Sequence, residues 1–181
     1  MTITEALAEI KTIEKRIIKK REFIGQHLAR DERLRDPFDK DGGSAQMVAR
    51  ELQGVKDLEQ RRVTLRLRIQ EANQRIQVGV NGETKSLAEW LVWRREVAPP
   101  RQQFLRTLAQ ALDKGRKDAQ SKGMTLVGAG AQVQVGQANT VNVFVNINER
   151  ELVEEIERLE TILGDLDGQL SLKNATETIV I

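Results

Sequence analysis

The sequence predicts a mainly α-helical fold, a bundle of long coiled-coil-like helices with a small antiparallel β-hairpin appended (α+β). Three observations carry this prediction. Apolar residues recur at alternating three- and four-residue steps in several long segments, which is the spacing of one helix face. Two Ser/Thr-x-x-Glu sequences mark helix starts. A short alternating stretch ends in Asn81-Gly82, a dipeptide favoured in tight hairpin turns.

The first helix is predicted to begin after Thr2, which forms a capping box with Glu5, and to end near Arg30. Its apolar stripe consists of Ala6, Ile10, Ile13, Ile17 and Ile24, with Lys20 interrupting. The opposite face is basic and is first interpreted as a solvated surface. The alternative is a nucleic-acid contact by Lys15, Arg16, Lys19, Lys20 and Arg21.

A second helix is predicted from about Ser44 to Ile76, after a Pro- and Gly-containing turn at residues 36–43. The sequence of that turn lacks the ligand spacing of a calcium loop, because Pro37 and Val48 occupy the end positions of the motif. The helix carries a coiled-coil seam with one polar member, Arg62, for which we expect a carboxylate partner or a role in register. The seam residues are Val55, Leu58, Arg62, Leu65, Ile69, Ala72 and Ile76.

A short hairpin near residues 76–86 leads into a helix that starts at the capping box of Ser86 and Glu89. Trp90 and Trp93 share one face of this helix. We interpret them as apolar anchors of a packed bundle, although tryptophan beside Arg94 and Arg95 can also stack on bases. Pro99-Pro100 is expected to interrupt the helix before the apolar pattern continues to Gly115.

Residues 123–148 contain no charged side chain and are predicted to form a second, uncharged β-hairpin. Such a hairpin is marginal alone, and its uncharged edge recruits other strands. We therefore expect it to be covered, and assign self-association to its alternating apolar residues and to the apolar tail. The residues are Val133, Val135, Val141, Val143, Val145, Ile147, Ile179, Val180 and Ile181.

The last segment, 149–181, is predicted to be an acidic helix that packs back on the bundle and ends in a terminal strand. Its seam residues are Leu152, Ile156, Leu159, Leu163, Leu166 and Leu170. Residues 123–181 carry a net charge of −6 and residues 1–122 carry +8. This division is expected when basic and acidic helices lie against each other, and the alternative is a nucleic-acid surface on the basic part.

Composition excludes several kinds of chemistry. The chain has 181 residues, no cysteine and a single histidine, so disulfides, thiolate zinc sites and catalysis that needs two histidines are ruled out. No apolar run approaches the ~20 residues that span a bilayer, and residues 1–5 lack the layout of a signal peptide. We expect no cofactor, no metal, no small-molecule substrate, no membrane span, and a location in a virion or the cytoplasm.

Residues 86–91, with Arg94 and Arg95, follow two long helices and a short hairpin, and this order resembles a segment of the septicolysin-like small α-helical proteins. The leucine-seamed last helix, Asn174 and the apolar strand at 179–181 are similar to the C-terminal layout of that family. The resemblance covers about half of the chain and assigns no functional residue. Through the toxin label of the family it implies a membrane-active alternative.

The length, the uncharged segment and the apolar tail are also in the style of small accessory proteins of tailed-phage particles. The first hypothesis is therefore a non-enzymatic structural protein that forms a homo-oligomer, as a head- or tail-associated virion component with other particle proteins as partners. The alternatives are a nucleic-acid-associated helical protein and the membrane-active protein. An enzyme is not expected, because no polar residues converge in the pattern. Glu89, Arg94 and Arg95 could be arranged into a site, but any helical protein offers such trios.

Overall fold

The computed structural model confirms a mainly α-helical fold with a small two-stranded antiparallel hairpin. The structure describes residues 1–31, 33–128 and 141–180. The helices are α1 (Ile3–Gln26), α2 (Gly43–Arg75), α3 (Leu87–Val92), α4 (Ala98–Ser121) and α5 (Glu149–Thr176). The strands are β1 (Gln77–Val80), β2 (Glu83–Ser86), β3 (Thr125–Val127) and β4 (Asn142–Phe144).

The described chain divides into two compact units. The first contains residues 1–77 and 170–180, and the second contains residues 78–169. Helix α5 contributes to both, because its residues up to 169 belong to the second unit and its last turns belong to the first.

The first unit is built on α1 and α2, which pack against each other as antiparallel helices. The predicted stripes face this contact: Ile10 and Ile13 of α1 and Leu65 of α2 are at most 3% exposed. Ion pairs flank the seam, since Lys20 contacts Glu51 at 2.6 Å and Glu9 contacts Arg61 at 2.9 Å. The two seams therefore bury each other within one chain, and hydrophobic burial is the main stabilising contribution.

Two roles were expected for the polar member of the α2 seam, a carboxylate partner or a part in register, and the described residues do not supply the first. Arg62 is half-buried and makes no ion pair with a described residue. The pair falls one residue earlier, at Arg61, because one helical step of 100° moves the side chain from the seam to its edge, where Glu9 lies.

Helix α1 also ends earlier than predicted, at Gln26 instead of Arg30. The N–H of His27 closes the last turn on the carbonyl of Phe23. The imidazole then packs edge-on against the ring of Phe38 at 4.9 Å between centroids. His27 is the C-cap residue of α1, so this packing lies where the helix ends.

The apolar tail docks within the first unit. The N–H of Ile179 donates to the carbonyl of Met1 at 2.8 Å, and the N–H of Ile3 donates to the carbonyl of Glu177 at 3.1 Å. Thr2 and Thr178 form an antiparallel bridge. The tail thus pairs its backbone with the N-terminus as a short strand would, and Ile179 is buried at 3% exposure.

The second unit begins with the β1–β2 hairpin. Asn81 and Gly82 both have positive φ angles, 50° and 80°, as a primed two-residue turn requires. Val78 and Val80 point into the core on alternate positions of β1. The hairpin leads into α3, which starts at the predicted capping box of Ser86 and Glu89.

Helix α3 continues into α4 through a π-helical turn, Trp93–Val97, in which the N–H of Ala98 donates to the carbonyl of Trp93. The sequence predicts that Pro99 and Pro100 interrupt the helix, and the α-helical pattern is interrupted at the π-helical turn directly before them. The prolines themselves lie in the first turn of α4, where missing N–H groups cost little. Because the two proline nitrogens have no hydrogen to donate to the preceding turn, the backbone widens into the π-helical turn there.

Helices α4 and α5 pack together through Leu105, Leu152 and Leu159, with Trp93 and Ile147 among the residues around this cluster. Ion pairs join arginines of the π-helical turn and α4 to carboxylates of α5. They are Arg94–Asp167, Arg101–Glu155 and Arg116–Glu149. The prediction that basic and acidic helices lie against each other is confirmed within this unit.

In the segment predicted to form the second hairpin, the strand pairing that the structure describes is parallel. Strand β4 pairs with β3 in parallel, with Thr125 opposite Asn142 and Val127 opposite Phe144. The expected partner strand, with Val133 and Val135, lies outside the described residues. Alternation shows which residues share a face, but neither the partner nor its direction, and β3 was not expected to be that partner.

Candidate functional site

The uncharged segment presents apolar side chains to solvent. Val141 and Phe144 are 61% and 62% exposed, while Val143, Val145 and Ile147 are half-buried. Four of the nine residues assigned to self-association lie together on and beside β4. They are Val141, Val143, Val145 and Ile147. Val133, Val135 and Ile181 lie outside the described residues.

The tail residues assigned to self-association have different surroundings. Ile179 is buried against its own chain, so its apolar surface is already covered. Val180 is 86% exposed and keeps its side chain in solvent. Of the two described tail residues, Ile179 and Val180, only Val180 has an exposed side chain that a partner could contact.

The basic residues of α1 fall into two groups, those that form ion pairs with α2 and those that do not. Lys20 and Arg21 bind Glu51 and Glu59 of α2. Lys15, Arg16 and Lys19 are exposed and make no ion pair with a described residue. Three of the five predicted nucleic-acid contacts are therefore available to phosphate groups.

A pocket of about 360 Å³ lies within the second unit. Its apolar wall is formed by Trp90, Trp93 and Leu159, and its polar wall by side chains from the hairpin, α4 and α5. The indoles stand edge to face, with ring centroids 5.6 Å apart and planes at 89°. Trp90 is held by a hydrogen bond from its indole N–H to the carbonyl of Val78 at 2.9 Å.

Three cations and two carboxylates line this pocket. Lys85 lies over the Trp90 ring, 4.7 Å from its centroid, and binds Glu83. Arg101 binds Glu155. The pKa of Glu83 is lowered, first by the hydrogen bond from Lys85 and to a smaller extent by the charge of Arg158.

Sequence reasoning found only part of this pocket. Trp90 is the buried anchor that was predicted, at 3% exposure, whereas Trp93 is half-buried and faces the cavity. Lys85, Arg101 and Arg158 were missed, because they belong to three different elements and share no spacing in the chain. The only indication in the sequence was the closeness of two tryptophans to arginines.

The trio of Glu89, Arg94 and Arg95 is not brought together. Glu89 accepts hydrogen bonds from Ser86, which lower its pKa, Arg94 binds Asp167, and Arg95 binds Glu96. Within the described residues there is no cluster of three or more His, Asp or Glu side chains that could hold a metal ion. None of the helices there is long and apolar enough to cross a membrane.

Comparisons of this chain with protein-family models, with curated proteins and with solved structures give no match. The resemblance to septicolysin-like proteins stays a prediction.

Proposed function

We propose that this chain is a non-enzymatic assembly protein that self-associates through its uncharged β segment. The observation that carries the proposal is the exposure of Val141 and Phe144 beside a strand whose whole surrounding segment, 123–148, contains no charge. Charged side chains are the usual protection of a strand edge against pairing with another chain. Here that protection is missing.

The helical seams support the choice of this surface. The α1–α2 seam and the α4–α5 seam are each filled within their own unit, so neither needs a second copy for its burial. Strands β3 and β4 pair over only three residues. A two-stranded ladder of that length gains stability when a neighbouring strand extends it.

We further propose that the assembly belongs to a larger particle, such as the head or tail of a tailed phage. Two features support this: the uncharged segment and the apolar residues 179–181, with Val180 in solvent. Co-purification would test it, since the protein should remain with an intact particle through density-gradient centrifugation and be released with its structural proteins.

Self-association is tested by size-exclusion chromatography with light scattering over a wide range of protein concentration. We expect the wild-type mass to be a multiple of 20.5 kDa. The double variant Val141→Lys/Phe144→Lys should shift towards the monomer, because two buried charges in a strand contact are costly. The matched control is Val63→Lys, an exposed valine on α2 (51%). A monomeric wild type at every concentration would refute the proposal.

A second candidate function is nucleic-acid binding by α1. It is favoured because Lys15, Arg16 and Lys19 are exposed and form no ion pair with a described residue. Three phosphate contacts would contribute about 2.7 to the slope of log affinity against log salt concentration. The triple Gln variant at these positions should lose that contribution in fluorescence anisotropy. A triple Gln variant of three exposed lysines, Lys114 and Lys117 on α4 and Lys122 directly after it, is the control. Absence of binding to DNA and RNA at low salt would exclude this function.

A further inference from the structure

The second unit contains a cavity that the assembly proposal does not use. Its volume of about 360 Å³ is at the lower end of the range for ligand pockets, about 300–1,000 Å³. It therefore fits a small molecule with one ring. Its walls come from β1, β2, α3, the π-helical turn, α4 and α5, so the cavity is formed by the tertiary fold of this unit.

The apolar wall favours a flat ring. Val80, Leu159 and Ile162 surround the two indoles, and the edge-to-face arrangement leaves Trp93 half-buried at the cavity. Aromatic rings gain from stacking or edge contacts beyond the area that they bury. The π-helical turn beginning at Trp93 sets the position of this residue, and such turns occur frequently at functional sites.

The charges favour a single negative group. Lys85 and Arg101 are each engaged by a carboxylate, Glu83 and Glu155. Arg158 makes no ion pair or hydrogen bond with a described residue, although its charge reaches Glu83. The lining side chains therefore carry one net positive charge, and the guanidinium of Arg158 can donate two parallel hydrogen bonds to a carboxylate.

We infer that this pocket binds a small aromatic monocarboxylate, with its ring against Trp93 and its carboxylate on Arg158. The site is independent of the proposed self-association, because none of its residues belongs to the uncharged segment or the tail. Val80, Leu159 and Ile162 give the ring an apolar wall, and the exposed Arg158 offers its guanidinium to the carboxylate.

The test uses the intrinsic fluorescence of the whole protein. The chain has two tryptophans and no tyrosine, and both tryptophans line the pocket, so binding in the pocket should change the emission. Phenylacetate is the probe, and we expect a saturable change with a dissociation constant on the order of 1 mM or tighter. Phenylacetamide has the same shape without the charge and should bind about tenfold more weakly, because it loses charge-assisted hydrogen bonds.

Variants separate the charge of Arg158 from the rest of the surface. Arg158→Gln should weaken phenylacetate binding about tenfold and leave phenylacetamide binding unchanged. The matched control is Arg106→Gln, an exposed arginine of α4 that does not line the pocket, and it should bind as the wild type does. Calorimetry on the same samples measures the affinity without the fluorophore, and circular dichroism confirms that each variant is folded.

Two results would overturn the inference. One is the absence of saturable phenylacetate binding at millimolar concentration by both methods. The other is equal affinity for phenylacetate and phenylacetamide, or for phenylacetate and cyclohexylacetate, because the pocket would then select neither charge nor ring. Oligomeric state is measured on the same samples, so a monomeric protein that binds phenylacetate separates this inference from the assembly proposal.

Discussion

Asp36 organises the start of α2 through Ser44, eight residues further along the chain. Its carboxylate accepts a hydrogen bond from the Ser44 hydroxyl at 2.6 Å and another from the Ser44 N–H at 2.9 Å. The N–H of Phe38 donates a third at 2.9 Å, and the Nε atom of Arg30 lies 3.8 Å away. The carboxylate therefore satisfies a backbone N–H at the first turn of the helix, which has no partner within the helix itself.

Because of these contacts, the stability of the first unit should depend on pH in the acidic range. They lower the pKa of Asp36 to about 2, with the bond from the Ser44 hydroxyl as the largest cause. In the unfolded chain the group titrates near 3.9. Because the folded pKa is the lower one, the contribution is complete above about pH 4 and is lost as the pH falls towards about 2.

Asp36→Asn should therefore destabilise the protein at neutral pH, and the difference from wild type should shrink between about pH 4 and pH 2. Urea unfolding followed by circular dichroism at several pH values measures this difference. Asp41→Asn changes the same charge in the same turn at an exposed position and should have little effect. A difference between wild type and Asp36→Asn that does not vary with pH would contradict the account.

The burial of the α2 seam predicts a large difference between two leucines of one helix. Leu65 is fully buried, whereas Leu67 is 53% exposed. Leu65→Ala should lower the free energy of unfolding by about 2–5 kcal/mol, because it removes apolar contacts and leaves a cavity. Leu67→Ala should cost less than about 1 kcal/mol. Urea unfolding at one fixed protein concentration checks both, and similar losses would mean that the seam is not the core.

The fold was largely readable from local patterns. Both capping boxes and the Asn81-Gly82 turn depend on residues that are neighbours in sequence, and the structure contains all three. The helix seams were readable for a similar reason, since a helix repeats its face every three or four residues. Helix ends were less exact, since α1 ends at Gln26 and its C-cap residue His27 packs against Phe38, which lies beyond the helix.

The parts that sequence reasoning missed depend on distant residues. The parallel pairing of β3 with β4 joins residues 17 positions apart, as Thr125 and Asn142 show, and alternation alone does not specify a partner. The pocket joins Lys85, Arg101 and Arg158, and only packing of the hairpin, α4 and α5 brings these charges to one place. The ion pair lies at Arg61, at the edge of the seam, and not at Arg62 within it, because one helical step changes the face.

Two glycines in the second unit should respond to alanine in opposite directions. Gly82 has a φ of +80° in the hairpin turn, where a Cβ atom strains the backbone, so Gly82→Ala should cost about 1–2 kcal/mol. Gly115 lies inside α4 with open space around it, so Gly115→Ala should stabilise by about 0.5–1 kcal/mol. Thermal unfolding measures both, and a loss of stability in Gly115→Ala would show that the space is occupied.

The two tryptophans are predicted to differ in stability and in emission. Trp90 is 3% exposed and satisfies the Val78 carbonyl, so Trp90→Phe should cost about 1–3 kcal/mol by leaving that carbonyl without its donor. Trp93 is half-buried, and Trp93→Phe should cost less. In Trp93→Phe the remaining indole is the buried one, so its emission maximum should lie at a shorter wavelength than that of Trp90→Phe. Chemical unfolding and emission spectra of the two variants check the order, and a reversed order of either quantity would mean that Trp93 anchors the unit and Trp90 faces the cavity.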